Sequence, residues 1–254
     1  MQRIITTPRT QIGNLRRRTP ATRRLAVLTA AVVMLGAACG DDDDDTADIS
    51  PAACDAYAGL QAAFFGDPAA LGPAADAFAA VAPADLSDSV DVLRTAMASE
   101  DPAAAETPEY AAAQTEVANA VFTGCATETS VDVTGVDYEF DGLPTEVAAG
   151  RTAFRLTNDS AADEPHELVI AAGANGETAE ELMAMPIEEL FGAVRPVGVA
   201  FTTSPGDTAT TLVDLEPGEY IVICTLPVGG FDAAQDGPGD PHSNHGMVAA
   251  LTVA

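Results

Sequence analysis

Apolar positions change their period near residue 128. Between residues 50 and 127 they recur at helical spacing. Tyr57, Leu60 and Phe64 mark a first helix, Leu86, Val90, Leu93 and Met97 a third, and Tyr110, Val117 and Val121 a fourth. The second, from Ala69 to Val81, is mostly alanine, and Gly72-Pro73 is expected to interrupt it. Ser50-Pro51, Asp67-Pro68 and Thr107-Pro108 each read as an N-cap followed by proline at the first helical position, where no backbone N–H is needed. Beyond residue 128 the apolar residues alternate. Val131, Val133 and Val136 to Phe140 read as strand. Further strands are expected at Thr145 to Ala148, Thr152 to Thr157, Glu167 to Ala171, Val197 to Thr202, Thr208 to Asp214, Tyr220 to Cys224 and Met247 to Val253. Leu143-Pro144, Ala149-Gly150, Ser204-Pro205-Gly206 and Glu216-Pro217-Gly218 punctuate them. A helical insert starts at a capping box of Thr178 and Glu181, and Pro186 opens a second turn ending near Gly192. The expected fold class is α + β multidomain: a small helical bundle over residues 50–127, then a Greek-key β-sandwich over 128–254.

The N-terminus has a different texture. Seven Arg precede residue 25, and no acid precedes Asp41. Arg16-Arg17-Arg18 and Arg23-Arg24 lead into an apolar run of 11 residues, Leu25 to Leu35, too short to span a bilayer and suited to a signal peptide. Gly36, Ala37 and Ala38 then precede Cys39. The arrangement resembles the lipobox of bacterial lipoproteins, in which such a cysteine is acylated and becomes the mature N-terminus. Here Gly36 stands where that family usually has leucine. The resemblance implies a signal peptide over 1–38, lipidation at Cys39 and an anchor on the outer face of the cell membrane, with ordinary secretion as the alternative. Asp41 to Asp45 make residues 39–49 an acidic, self-repelling tether. Arg23-Arg24 faintly matches a twin-arginine signal, but Ala26-Val27 lacks the bulky apolar pair expected after it.

Charge narrows the possible partners. All 11 basic residues are Arg, against 39 acids; past residue 38 four Arg face all 39, a net charge of −35. Such a chain does not neutralise phosphates, which excludes nucleic acid as a partner, and it offers no polybasic patch to anionic lipid. It favours a protein partner with a basic surface. The four cysteines are Cys39, Cys54, Cys125 and Cys224. Cys54 opens the first helix and Cys125 closes the fourth, so up-down packing brings them together as a disulfide. An exported chain sits where disulfides persist. With Cys39 carrying lipid, Cys224 is the odd thiol. The helical region has no His and one Arg (Arg94), and reads as a structural or docking module.

All three histidines, His166, His242 and His245, lie in the strand-rich half with Cys224 and Met247. Three segments carry a resemblance. Pro165-His166-Glu167-Leu168-Val169-Ile170 looks like a histidine-bearing strand. Pro217-Gly218-Glu219-Tyr220-Ile221-Val222-Ile223-Cys224 looks like a strand delivering a thiolate. His242-Ser243-Asn244-His245-Gly246-Met247-Val248 looks like a second histidine and a methionine before the last strand. In this order they resemble the cupredoxins, the plastocyanin and azurin group of blue copper proteins, over about half the chain. The resemblance implies one type 1 copper ion held by His166, Cys224 and His242 with Met247 axial, a donor set of two imidazoles, one thiolate and a weak thioether. Four residues separate His242 from Met247, as in plastocyanins; His245, one residue from Met247, is the alternative ligand. The 17 residues between Cys224 and His242 exceed the few found in that family, and Pro227 to Pro241 reads as a projecting loop.

The expected function is an extracytoplasmic, membrane-tethered copper protein transferring single electrons to or from a redox partner. It is not an enzyme, since no second His-rich set exists for multi-electron oxygen chemistry. The alternatives are a copper chaperone or scavenger of the cell envelope, or a metal-free sandwich used for protein interaction with Cys224 as a small buried hydrophobe. A zinc hydrolase would need a general base, and Glu167 points to the opposite face of the His166 strand.

Overall fold

The computed structural model describes residues 49–99, 101–230 and 239–254. The signal segment, Cys39 and the acidic run lie outside these residues, as does 231–238 within the loop before His242. Helices α1 (Pro51–Phe65), α2 (Pro68–Ala79), α3 (Ser87–Met97) and α4 (Pro108–Gly124) pack each on the next. The expected caps form: Ser50, Asp67 and Thr107 accept hydrogen bonds from the amides of Ala53, Ala69 and Tyr110. Gly72-Pro73 does not interrupt α2, which runs through Pro73. A proline inside a helix removes one backbone hydrogen bond and crowds the preceding turn. The burial of Ala75 and Phe78 against Tyr57 and the rest of the helical core holds α2 together past it. Cys54 and Cys125 form the disulfide, 71 residues apart.

Among the described residues the second half forms nine strands: β1 (Thr129–Val136), β2 (Glu139–Asp141), β3 (Glu146–Val147), β4 (Gly150–Asn158), β5 (His166–Gly173), β6 (Val194–Thr202), β7 (Thr208–Leu215), β8 (Gly218–Ile223) and β9 (Val248–Val253). They make two sheets, ordered β2-β1-β4-β7 and β3-β9-β8-β5-β6. The pairs β1–β4 and β3–β9 are parallel and the others antiparallel, so the sandwich is mixed. Val133, Phe154, Leu156, Leu168, Ile170, Val222 and Leu251 fill the space between the sheets. Helices α5 (Ala179–Met183) and α6 (Ile187–Ala193) lie between β5 and β6 in sequence, and Leu182 and Leu190 bury against Ala171, Ile221 and Ile223. The capping box of Thr178 and Glu181 starts α5.

One strand expectation fails in an informative way. Val136 to Phe140 is not continuous: Asp137 and Tyr138 take φ of 30° and 74° and turn the chain between β1 and β2. Tight two-residue hairpins of this hand need positive φ at both turn positions, which usually selects Asn-Gly or Asp-Gly. Asp137 partly offsets the cost, because its Oδ1 accepts the Ala161 amide at 3.1 Å. Tyr138 has no such local compensation, and an aromatic residue in this region is strained.

The helices cover the outer face of β4 and β7. Ala153 and Leu212 belong to the helical core, so that core and the sheet are continuous. Strand β7 is therefore buried on both faces from Thr208 to Val213. Two of its threonines, Thr208 and Thr210, meet polar partners on the helices. The Tyr57 hydroxyl donates to the Thr210 carbonyl at 2.6 Å, the Thr210 hydroxyl to the Ala118 carbonyl at 2.9 Å, and the Thr208 amide to the Thr115 hydroxyl at 3.0 Å. Arg151 bridges Asp55 of α1 and Asp214 of β7, and Arg155 bonds Asn119 of α4 and Asp132 of β1 while stacking on Phe122.

Replacing both Cys54 and Cys125 by alanine is expected to destabilise the protein by roughly 4 kcal/mol, the loop-closure entropy of a cross-link of this span. The denaturant midpoint of the double variant, measured by far-ultraviolet circular dichroism, should fall accordingly. An unchanged midpoint would mean that the helical layer is held by the sheet alone.

Candidate metal centre

Sheet register places the first two candidate donors. In the antiparallel β5–β8 pair, Val169 faces Ile223, so His166 at the start of β5 and Cys224 just past β8 come to the same end. The Glu167 amide points at Cys224 Sγ, 3.5 Å away. The Glu167 carboxylate turns elsewhere: its Oε1 accepts the Thr225 amide at 2.9 Å and the Thr225 hydroxyl at 2.5 Å. Glu167 therefore straps β5 to the segment after β8, and it is not aimed at the His166 ring. Burial raises its pKa above the usual carboxylate range.

The last two candidates arrive on a return loop. Pro227 and Pro241 form an antiparallel bridge, and the Val228 amide donates to the Asp240 carbonyl at 2.9 Å. This stem closes the long insertion at its base, so the added residues do not displace His242 and Met247. Gly239 lies so close to the Val228 carbonyl that a Cβ there has no room. Past the stem the His242 amide donates to the Leu226 carbonyl at 2.8 Å, and the Ser243 amide to the Cys224 carbonyl at 3.0 Å. A single helical turn, His242–His245, leads to Gly246 at φ 120°, a conformation that favours glycine. The Cys224 amide then donates to the Met247 carbonyl at 3.0 Å.

The result is a buried donor set. His166, Cys224 and His242 each offer a ligand atom, and these atoms lie within 4.8 Å of one another. All three residues are fully buried, as is Met247, which clusters with Cys224 and Leu226. His242 Nδ1 is 3.4 Å from Cys224 Sγ. Neither ring nitrogen of His166 has a hydrogen-bond partner. A buried polar atom without a partner costs roughly 1–3 kcal/mol, and native structures seldom leave one so. Two imidazoles and a soft thiol converging with unspent lone pairs fit a copper ion of the type 1 class. His245 stands apart: it is exposed, its ring 5.1 Å from that of Tyr138.

Burial sets the protonation of the metal-free site. It lowers the His166 pKa to about 4, helped by the nearby His242, and lowers that of His242 as well. It pushes the Cys224 thiol up to about 12. Both imidazoles are thus neutral, with lone pairs available, at neutral pH, whereas the thiol must lose its proton to bind a metal.

Three residues of this neighbourhood escaped sequence reasoning. Gly135 packs on the His166 ring, where a Cβ would sit 3.0 Å from Cδ2. Tyr138, at the strained turn, places its ring 4.9 Å from that of His242. Glu164 is buried, with Oε2 2.8 Å from His242 Nε2, although the contact lacks the alignment of a regular hydrogen bond. The one signal along the chain is that Glu164 stands two residues before a candidate ligand.

No family model and no curated protein matches the chain. Solved structures similar to it include dithionite-reduced auracyanin from the photosynthetic bacterium Roseiflexus castenholzii, with 21% identity, 51% of this chain and 99% of that one covered, and a TM-score of 0.33. Auracyanin B is similar at 19% identity, covering 51% and 91%, with a TM-score of 0.32. Auracyanin A, described as a blue copper protein from the green thermophilic photosynthetic bacterium Chloroflexus aurantiacus, is similar at 20% identity, covering 49% and 98%, with a TM-score of 0.29.

The shifted groups define a pH window for the metal-free protein. Because the folded His166 resists protonation, its contribution is present above its ordinary pKa of 6.5 and is lost as pH falls toward about 4, by an amount on the order of 3 kcal/mol. Because the folded Cys224 resists ionisation, its contribution is present below 9.0 and is lost as pH rises toward about 12. Denaturant titrations across pH should give a plateau between these limits, and Cys224→Ala should flatten the alkaline side.

Proposed function

We propose that this protein is an exported type 1 copper protein that carries single electrons, tethered to the outer face of the membrane through an acylated Cys39. The observation that carries the copper reading is the convergence of fully buried donors from His166, Cys224 and His242, with both His166 ring nitrogens left without a partner. His166 and His242 would supply two imidazole nitrogens, Cys224 the thiolate and Met247 the weak thioether. A bound copper ion would supply one-electron chemistry between its divalent and monovalent states. The chain's own part is to hold donors that suit neither state fully in a dry, fixed arrangement. The Glu167 strap, the Pro227–Pro241 stem and the Glu167 amide toward Cys224 Sγ all support such rigidity.

A carrier rather than an enzyme is favoured by the burial of every donor, which leaves no open position for a substrate. Export is supported by the Cys54–Cys125 disulfide, which persists in oxidising compartments. The proposed attachment is the lipid on Cys39; among the described residues no helix is long and apolar enough to cross a membrane. The net charge of −35 past residue 38 favours a redox partner with a basic face. A second reading, a copper carrier that hands its ion on, draws on exposed His245, one aromatic ring away from His242.

The visible spectrum of the Cu(II)-loaded protein tests the proposal. An intense thiolate-to-copper band is expected, lost in Cys224→Ser and kept in His245→Ala. Equal copper binding by wild type and Cys224→Ser, with no such band in either, would overturn the assignment. Loss of the band in His245→Ala, or rapid surrender of the ion to a chelator, would favour the handing-on reading.

A further inference from the structure

Among the described residues Glu164 is the most buried acid, with Glu167 half-buried. Burying a carboxylate is costly unless it is paired or hydrogen-bonded. Its backbone is held on both sides, because its carbonyl accepts the Asn158 side-chain amide at 2.9 Å and its amide faces the Ser160 hydroxyl at 3.4 Å. Its Oε1 accepts the Gly229 amide at 3.1 Å and faces the Tyr138 hydroxyl at 3.4 Å. Those contacts leave Oε2 2.8 Å from His242 Nε2, close but short of regular hydrogen-bond alignment, while the other nitrogen of the same ring faces Cys224 Sγ at 3.4 Å. Tyr138 holds this position at a positive φ of 74°. A strained aromatic residue and a buried acid meeting on one imidazole are two costs incurred at one place.

A carboxylate only accepts hydrogen bonds, and a neutral imidazole carries a single N–H. A proton on Nε2 therefore satisfies Glu164 and frees the Nδ1 lone pair toward Cys224. We propose that Glu164 is a positioning residue of the metal centre, fixing the tautomer and orientation of His242 through Nε2, and that its charge favours the divalent over the monovalent ion. The inference rests on the reading of His166, Cys224 and His242 as copper ligands. The charge argument is a count. A divalent ion and a thiolate leave one positive charge, which the carboxylate neutralises. A monovalent ion and a thiolate leave none, so the same carboxylate stands uncompensated in a low-dielectric pocket. Partners on the far nitrogen of a ligating histidine also fix its orientation and raise its basicity.

The test combines nitrogen-15 spectra of the histidine rings in the metal-free protein with reduction potentials of the copper-loaded wild type, Glu164→Gln and Glu164→Leu. In the wild type the His242 proton is expected on Nε2. Glu164→Gln keeps an acceptor, so the tautomer should persist while the reduction potential rises. Glu164→Leu should lose the tautomer preference and weaken Cu(II) binding about tenfold or more. A His242 proton on Nδ1 in the wild type, or an unchanged potential in Glu164→Gln, overturns the inference. Should Glu164→Leu not fold, the wild-type spectrum and the Gln variant decide the matter. Absence of a thiolate–copper band from the wild type would defeat the copper reading instead, and the ring-nitrogen spectrum would still decide the Glu164 contact.

Discussion

Two imidazoles and a thiol meet in a place that water does not reach, and the protein leaves both nitrogens of one of those rings, His166, unsatisfied. That arrangement dominates the architecture around it. Left alone, unpaired His166 nitrogens destabilise the fold. Much of the surrounding structure keeps these groups from relaxing toward other partners: the Glu167 strap across to Thr225, the stem beneath the long loop, and Gly135 pressed on the His166 ring. A pocket built this way resists collapse, which is what a centre needs if its donors are to stay put as charge comes and goes.

The helical layer serves the same end less directly. It buries the outer face of β7, which an uncovered sheet would expose to solvent. Only four Arg lie beyond residue 38, and two of them, Arg151 and Arg155, join this layer to the sheet. Exposed ion pairs of this kind contribute little stability each, so their main effect is to fix orientation. The continuous core and the buried threonine contacts supply the adhesion. On the other sheet α5 and α6 cover Ile221 and Ile223, so the strand leading to Cys224 is enclosed from both sides.

Much of this could be read along the chain, because the signals are local. Proline after Ser50, Asp67 and Thr107 announced three helix starts, and alternation with Gly and Pro punctuation announced the strands. The pairing of Cys54 with Cys125 came from helix order. Errors arose where a local rule was overridden at a distance. Pro73 predicts a break, but apolar packing of the same helix outweighs one lost hydrogen bond. Asp137-Tyr138 reads as strand, because Tyr is a strand former and not a turn residue, and contacts to Ala161, Glu164 and His242, all remote in sequence, accompany the turn it makes. Strand β7 gives no hint in its alternation that helices will bury its second face.

The candidate centre divides along the same line. Three segments that resemble cupredoxin strands and loops point to His166, Cys224, His242 and Met247, and soft and imidazole donors are few in this chain. Convergence was another matter. It depends on the register of β5 against β8 and on the stem that cancels a long insertion, and neither is encoded within any one segment. Spacing to Met247 favours His242 over His245, and the folded chain buries the His242 ring beside Cys224 while His245 lies exposed. Glu164 shows why. Its role depends on a residue 78 positions later, and no local pattern of polarity reports an electrostatic contact that exists only once two loops have been brought together.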